Sequence, residues 1–456
     1  MTRGGPENIS LLPQSSGLTS KEIASKLRLP ETLPERVSQY IPSKERLQQY
    51  PSPTADHLAS KEILRPDLSG ASFVSTHNSA DQQIYIIPPW HPLNFSPIIP
   101  HHGGDYGSGV FEGGSLEPVV EAGEIVGANL ILHSIRMRRF QWSMNNRSFD
   151  IPSLDRLDLA IRDLAAILAP NVLKTADGIP SRAYVRPSAR PGSGALGIGL
   201  KPEHAIEHSA YITNWPSYFP DADRVYQGSG LVIAALPEQR SIPLTGKHAS
   251  NYGEAGRVGN TARALGVDEA LYFAPYLVSG DWENRNKGRY MNFQEPGIYE
   301  EQFAKVALAD GPGEGIIAIS NDGKLIVPPL DVNQLPSTTM MYITNFLAPS
   351  LGFNVEEKAF CLKDIQEENI VSMAYVGNAA RIAPVGEIKV HQGADDQSCL
   401  QSLQLDVQPM KPLVRKYEQE VRGEIEPSDP CLLTPVEFET GKQAAAILEE
   451  TFADWL

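Results

Sequence analysis

The sequence predicts an α/β protein of two domains, and three observations carry that expectation. The chain has 456 residues, more than one ordinary hydrophobic core accommodates. Apolar runs of strand length alternate with segments of helical spacing. A polar stretch at 215–230, with Pro216, Pro220, Asp221 and Asp223, separates two such halves and reads as the interdomain loop. The composition, 41% apolar and 21% charged, is that of a globular chain.

Residues 1–70 are rich in Pro, Ser and charge and read as an N-terminal extension, either wrapped on the body or mobile, with one short helix at Ser20–Leu27. Residues 71–214 form the expected small α/β domain. Its strand signals are Ile84–Ile87, Asn129–Leu132, Ala183–Arg186 and Ala210–Asn214. A basic helical start lies at Arg136–Phe140. Leu154, Leu157, Ile161, Leu164 and Leu168 recur at helical spacing, with Ser153 as the N-cap. Residues 231–430 form the expected larger domain. Leu231–Leu236 reads as a buried strand, and Glu254–Leu265 as a helix stopped by Gly266. Ala270–Phe273, Gly315–Ser320 and Lys324–Val327 read as strands, and a helix starts near Ser337 with Pro349 close to its end. Residues 277–304 are polar yet carry Trp282, Tyr290, Phe293, Tyr299 and Phe303, and read as an insertion. Residues 431–456 read as a C-terminal helical tail.

The formal net charge of −16 repels phosphate backbones, so nucleic acid is not an expected partner. No run of about 18 apolar residues spans a membrane, and the start of the chain lacks the apolar core of a secretion signal. The three cysteines form no CxxC pair, which fits a reducing, cytoplasmic compartment. His101, His102 and His248 lack further ligands at metal spacing, so no metal is expected.

Four separated segments hold the residue types that carry chemistry. They are Tyr106-Gly-Ser-Gly-Val-Phe111-Glu-Gly113, Tyr184-Val-Arg186-Pro187, Lys247-His-Ala-Ser-Asn251-Tyr252 and Asp310-Gly-Pro-Gly-Glu314-Gly315. Asp268-Glu269-Ala-Leu271, Val327-Pro-Pro-Leu330, Leu335-Pro336 and Ala383-Pro-Val385 complete the series. In this order, over about 101–390, they resemble the fold-type IV, pyridoxal-phosphate-dependent aminotransferases, the branched-chain aminotransferase family. The resemblance implies a small α/β domain beside a larger pseudo-barrel domain, a homodimer, and amino-group exchange between a hydrophobic amino acid and a 2-oxo acid.

It also implies roles, residue by residue. Lys247 is the expected Schiff-base lysine, which then moves a proton as a free amine, a task for a lysine that is neutral part of the time. Tyr252 is expected at the phenolic oxygen of the cofactor. Asp310 stands where the family's EGxGEN segment opens with a glutamate at the ring nitrogen, with Glu300 and Glu301 as alternatives. Arg139 falls at the phosphate arginine, with Arg136 and Arg138 as runners-up. Thr338 and Thr339 match the phosphate-binding LPGxT turn, and Asn378 replaces a threonine in a GTA turn. Tyr106 and Arg186 are expected at the substrate carboxylate, which a guanidinium suits. Phe111, Tyr184 and Ala379 would line the side-chain pocket, and Tyr218 would close over it.

Departures cluster in the same motifs. Asp310 is one methylene shorter than glutamate. Leu335-Pro-Ser-Thr-Thr-Met340 loses both the glycine and the arginine of LPGxTR, and Ser337 alters the turn if its φ is positive. Glu112-Gly-Gly-Ser115 lacks the arginine that often follows the family's FEG. These changes keep two other readings open: a lyase, racemase or carbon–carbon bond-forming enzyme on the same cofactor, and a non-catalytic relative.

Overall fold

A computed structural model gives the architecture of residues 18–41, 72–77, 84–87, 107–149, 153–191, 206–239, 246–278, 303–330, 334–391 and 399–453. Two sheets divide the chain. The first takes its strands from Ser72–His77 (β1), Ile84–Ile87 (β2), Val110–Phe111 (β3), Gly114–Glu121 (β4), Glu124–Ile131 (β5), Ala183–Pro191 (β6) and Ile206–Asn214 (β7). The second is built from Leu231–Gln239 (β8), Glu269–Leu277 (β9), Val306–Leu308 (β10), Gly315–Ser320 (β11), Leu325–Val327 (β12), Val355–Glu357 (β13), Ile370–Gly377 (β14), Arg381–His391 (β15) and Cys399–Gln404 (β16). The chain then returns to the first sheet through Leu433–Pro435 (β17).

The first sheet is eight-stranded, ordered β17-β5-β4-β6-β7-β1-β2, with β3 also on β6. Its pairs are antiparallel. The β4–β5 hairpin turns on Ala122 and Gly123, both at positive φ, the backbone that matches strand twist in a two-residue loop. The second sheet is nine-stranded, ordered β10-β9-β8-β15-β14-β11-β12-β13, with β16 on β15. Here β8 runs parallel to β9 and to β15, and β12 to β13. The architecture is therefore the expected mixed α/β one, with a half-barrel second sheet.

The amphipathic helix is Leu154–Val172. Leu157, Ile161, Leu164 and Leu168 are all buried in the core of the first sheet. Ser153 stands at the cap position but its side chain makes no capping bond. The helix runs past Leu168 and includes Pro170. Proline has no N–H for the carbonyl four residues back, here that of Ala166. Gly441, in the C-terminal helix Phe438–Ala453, packs against that same carbonyl: a Cβ there would lie 2.2 Å from the Ala166 oxygen. The proline thus frees an acceptor, and glycine lets a second helix approach it.

The extension helix spans Ser20–Lys26, with Thr19 and Glu22 forming a capping box. A second helix, Leu33–Tyr40, is fixed by the fully buried Arg36. Its Nε and Nη2 donate to the Asp163 carboxylate at 2.8 and 2.6 Å, and the Tyr40 hydroxyl adds a third bond at 2.5 Å. Residues 18–41 thus pack against the helix Leu154–Val172. Residues 279–302, most of the expected insertion, lie outside the described residues; β9 continues to Leu277. The helix expected to stop before Gly266 ends at Ala264, and it begins earlier than expected, at Asn251.

Candidate active site

Local geometry brings the four motif segments together. Tyr184 and Arg186 are two apart on β6 and share a face. Beside them, β3 pairs with β6 and also stitches in the lysine segment: Phe111 N–H donates to the Lys247 carbonyl at 3.1 Å, and Val110 bridges His248. Gly113 leaves room for Tyr184, since a Cβ would lie 2.6 Å from its hydroxyl oxygen. That hydroxyl accepts from Arg186 Nε at 3.0 Å, and the guanidinium lies 4.3 Å over the Phe111 ring.

Lys247 Nζ donates to the Tyr252 hydroxyl at 2.5 Å and sits 5.0 Å from the centre of the Phe111 ring. Burial, with the Arg139 charge adding to it, pulls this amine down to about 8 against the opposing pull of Glu112. Glu112 is buried and bidentate with Arg139: Oε2 accepts from Nε at 2.7 Å and Oε1 from Nη2 at 2.5 Å. Burial disfavours its charge, but the Arg139 cation holds the carboxyl below its ordinary value. Arg139 Nη1 reaches across to the Pro336 carbonyl at 2.7 Å. Arg136 is buried and donates to the Gly113 carbonyl; it does not line the cavity described below.

The Pro336 turn leads into a helix. Ser337 has φ −77°, so no glycine is needed there, and its hydroxyl caps the helix by accepting from Met340 N–H at 3.3 Å. The condition for an altered turn, a positive φ at Ser337, is not met. Thr338 and Thr339 follow, both buried, and the Thr339 hydroxyl has no protein partner. Across from them the turn between β14 and β15 carries Asn378, whose amide oxygen and nitrogen are both buried and unpartnered.

Asp310 is buried at the mouth of a turn closed by a bridge to Gly315 and a Gly311 N–H to Glu314 carbonyl bond of 2.8 Å. Two carboxyl groups that sequence reasoning does not select lie nearby. Glu269 accepts a 3.4 Å hydrogen bond from the Tyr218 hydroxyl, and Glu314 accepts the Gly313 N–H at 3.0 Å. Burial and then the Glu314 charge push the Glu269 carboxyl up to about 8, which favours its neutral form. The Glu314 charge, then burial, push the Tyr218 hydroxyl far above its ordinary value. Both glutamates lie inside motifs quoted above; nothing in one sequence shows that the two meet.

One cavity of about 530 Å³ joins these groups. It is lined by Phe111, Arg139, Tyr184, Arg186, Tyr218, Lys247, Tyr252, Asp310, Thr338, Thr339, Asn378 and Ala379, together with Glu112, Trp215, Glu269 and Glu314. Tyr106, Glu300 and Glu301 lie outside the described residues. Among the described residues no helix is long and apolar enough to cross a membrane.

No family model matches the sequence, and no curated protein does. Solved structures do. The branched-chain aminotransferase of Thermoproteus uzoniensis, solved with norvaline, is 20% identical and superposes at a TM-score of 0.57 over 80% of this chain and 99% of its own. That of Thermobaculum terrenum, solved as a mutant, gives 17%, 0.56, 82% and 99% in the same order. That of Escherichia coli gives 18%, 0.55, 80% and 98%. At such identities the likeness establishes architecture: this chain has the two-domain fold of the fold-type IV branched-chain aminotransferases.

Proposed function

We propose that the protein is a pyridoxal-phosphate-dependent aminotransferase that moves an amino group between a hydrophobic, branched-chain-like amino acid and a 2-oxo acid. One observation carries the reading. A single cavity presents a lysine amine lowered to about 8, a buried aspartate, and unpartnered polar atoms of Asn378 and Thr339. The unpartnered amide and hydroxyl fit the oxygens of a phosphate monoester, and the lysine fits an aldehyde.

When bound, this cofactor supplies an aldehyde that condenses with amines and a ring that withdraws electrons. The protein supplies the rest. Lys247 would anchor the cofactor and would serve as the base that takes and returns a proton at the substrate carbon. With an amine at about 8, roughly one molecule in ten carries it unprotonated near neutral pH, against about one in a few thousand for an ordinary lysine. Tyr252 holds the amine in place. Asp310 would hold the ring nitrogen protonated. Arg186, backed by Tyr184, takes the substrate carboxylate, and Phe111, Tyr184 and Trp215 form apolar walls that keep water out. A second reading, a lyase or racemase on the same cofactor, rests on the shorter reach of Asp310. The proposal extends to a homodimer, checked by light scattering, and to a cytoplasmic location.

The test is an absorption spectrum of the purified protein with added pyridoxal phosphate, before and after borohydride, with mass spectrometry of the labelled peptide. Label on Lys247, and a spectral change on adding an amino donor alone, are expected. Label elsewhere would overturn the assignment of Lys247; a labelled Lys247 with no response to any donor would favour the second reading.

A further inference from the structure

Arg182 precedes β6 and is not among the residues that line the cavity. It is 8% exposed. Its guanidinium is nonetheless bonded to two segments that do line it. Nε donates to the carbonyls of Trp215 and Pro216, each at 3.2 Å, and Nη2 donates to the Ala379 carbonyl at 2.8 Å. The first pair belongs to the connecting loop, which carries Tyr218 two residues on. The second belongs to the turn that carries Asn378. Trp215 also returns its own N–H to the Arg182 carbonyl at 3.1 Å.

We propose that Arg182 is a positioning residue that couples the connecting loop to the Asn378 turn, so that order in the loop and binding at the turn rise and fall together. A buried cation satisfied by carbonyls of two separate segments keeps its hydrogen bonds only while both segments stay in place. Other contacts run the same way. The Tyr226 hydroxyl, from the short helix Ala222–Tyr226 further along the loop, donates to the Ala380 carbonyl at 2.8 Å. On the far side of the turn Arg381, at φ 56°, is clamped by Glu117 of β4 at 2.7 Å and by Glu418 of the helix Lys411–Val421. The turn is thus held from its far side by Arg381, while its link to Trp215 and Pro216 passes through Arg182. Burial, and then the neighbouring Arg381 charge, pull the Arg182 guanidinium below its ordinary value, consistent with a cation held by dipoles. Coupling between two sites is reciprocal: a ligand that fixes the turn orders the loop, and an ordered loop tightens the ligand.

The inference uses the proposed cofactor only as the probe. The experiment is amide hydrogen exchange of the full chain, with and without pyridoxal phosphate, in the wild type, Arg182→Met and Arg182→Lys. Without cofactor, Arg182→Met should exchange faster in peptides covering 214–219 and 377–380 but not in the helix Leu154–Val172. With cofactor, the wild type should gain protection in 214–219, whereas Arg182→Met should lose that gain while protection at 377–380 persists, and should bind the cofactor about tenfold more weakly. Arg182→Lys, which keeps the charge but not the fork, should fall between them; it carries the test if the methionine variant does not fold. Unchanged exchange of 214–219 in the cofactor-free variants would overturn the coupling. Failure of the wild type to take up cofactor would instead strike the proposed function, and the cofactor-free comparison would still decide the coupling.

Discussion

Lys247 and Glu269 stand in two walls of one cavity, and burial treats them alike. The lysine wall is aromatic: Phe111, Tyr252 and Tyr184 surround an amine pulled down to about 8. The glutamate wall is acidic: Glu314 and Tyr218 surround a carboxyl pushed up to about 8. Desolvation favours the neutral form of each, and neighbouring charge of the same sign adds to it, Arg139 foremost for the amine and Glu314 for the carboxyl. An amine made neutral becomes a nucleophile and a base, whereas a carboxyl made neutral becomes a proton donor. The same physics therefore yields opposite chemistry on the two walls.

Lys247→Ala removes one side of this contrast and has the largest expected effect. Covalent cofactor attachment should vanish and the amino-donor half-reaction slow by at least about 10³-fold, read by stopped-flow absorbance. Asp310→Asn keeps the shape and drops the charge. It should slow the same half-reaction by about 10²-fold while Lys247 is still labelled by borohydride.

Glu269→Gln tests the acidic wall through stability. The folded carboxyl is pushed up to about 8, against an ordinary value of 4.5 that the unfolded chain would show. The unfolded chain therefore loses its proton first as pH rises, and stability present below 4.5 drains away until about 8. The unfolding free energy of the wild type, from urea titrations, should fall across that window by up to about 5 kcal/mol, and the glutamine variant should lack that component of the slope. An equal slope in both would remove the proton from Glu269. The smallest effect is expected from Glu112→Gln, which deletes the charge that pulls Lys247 upward. The rate of cofactor attachment should rise with pH and level off above about 8 in the wild type, and should level off at slightly lower pH in the variant.

Much of the fold is legible in the sequence because its signals are periodic. The spacing of Leu157, Ile161, Leu164 and Leu168 fixes a buried face whatever caps the helix, so the reading holds despite the absent Ser153 cap and the passage through Pro170. The residues of the candidate site are legible from residue type and order along the chain. What single positions do not reveal is their partners. Arg139 is bidentate with Glu112, a pairing its own segment does not announce, because a side chain's neutraliser lies wherever the fold brings it. Glu269 opens β9 and Glu314 precedes β11, strands that are not paired with each other in the sheet, so only the tertiary fold makes them neighbours. Ser337 looks like a defect in a turn and is a helix cap, since φ is invisible to composition.

Gly441 and β17 bind biogenesis to the end of the chain. Because β17 completes the edge beside β5 and the helix Phe438–Ala453 lies on Leu154–Val172, the earlier sheet stays unfinished until the stretch around 433–453 has left the ribosome. A nascent chain halted short of that point leaves the side of Leu154–Val172 at Ala166 without its covering helix, an exposed surface of the kind on which chaperones act.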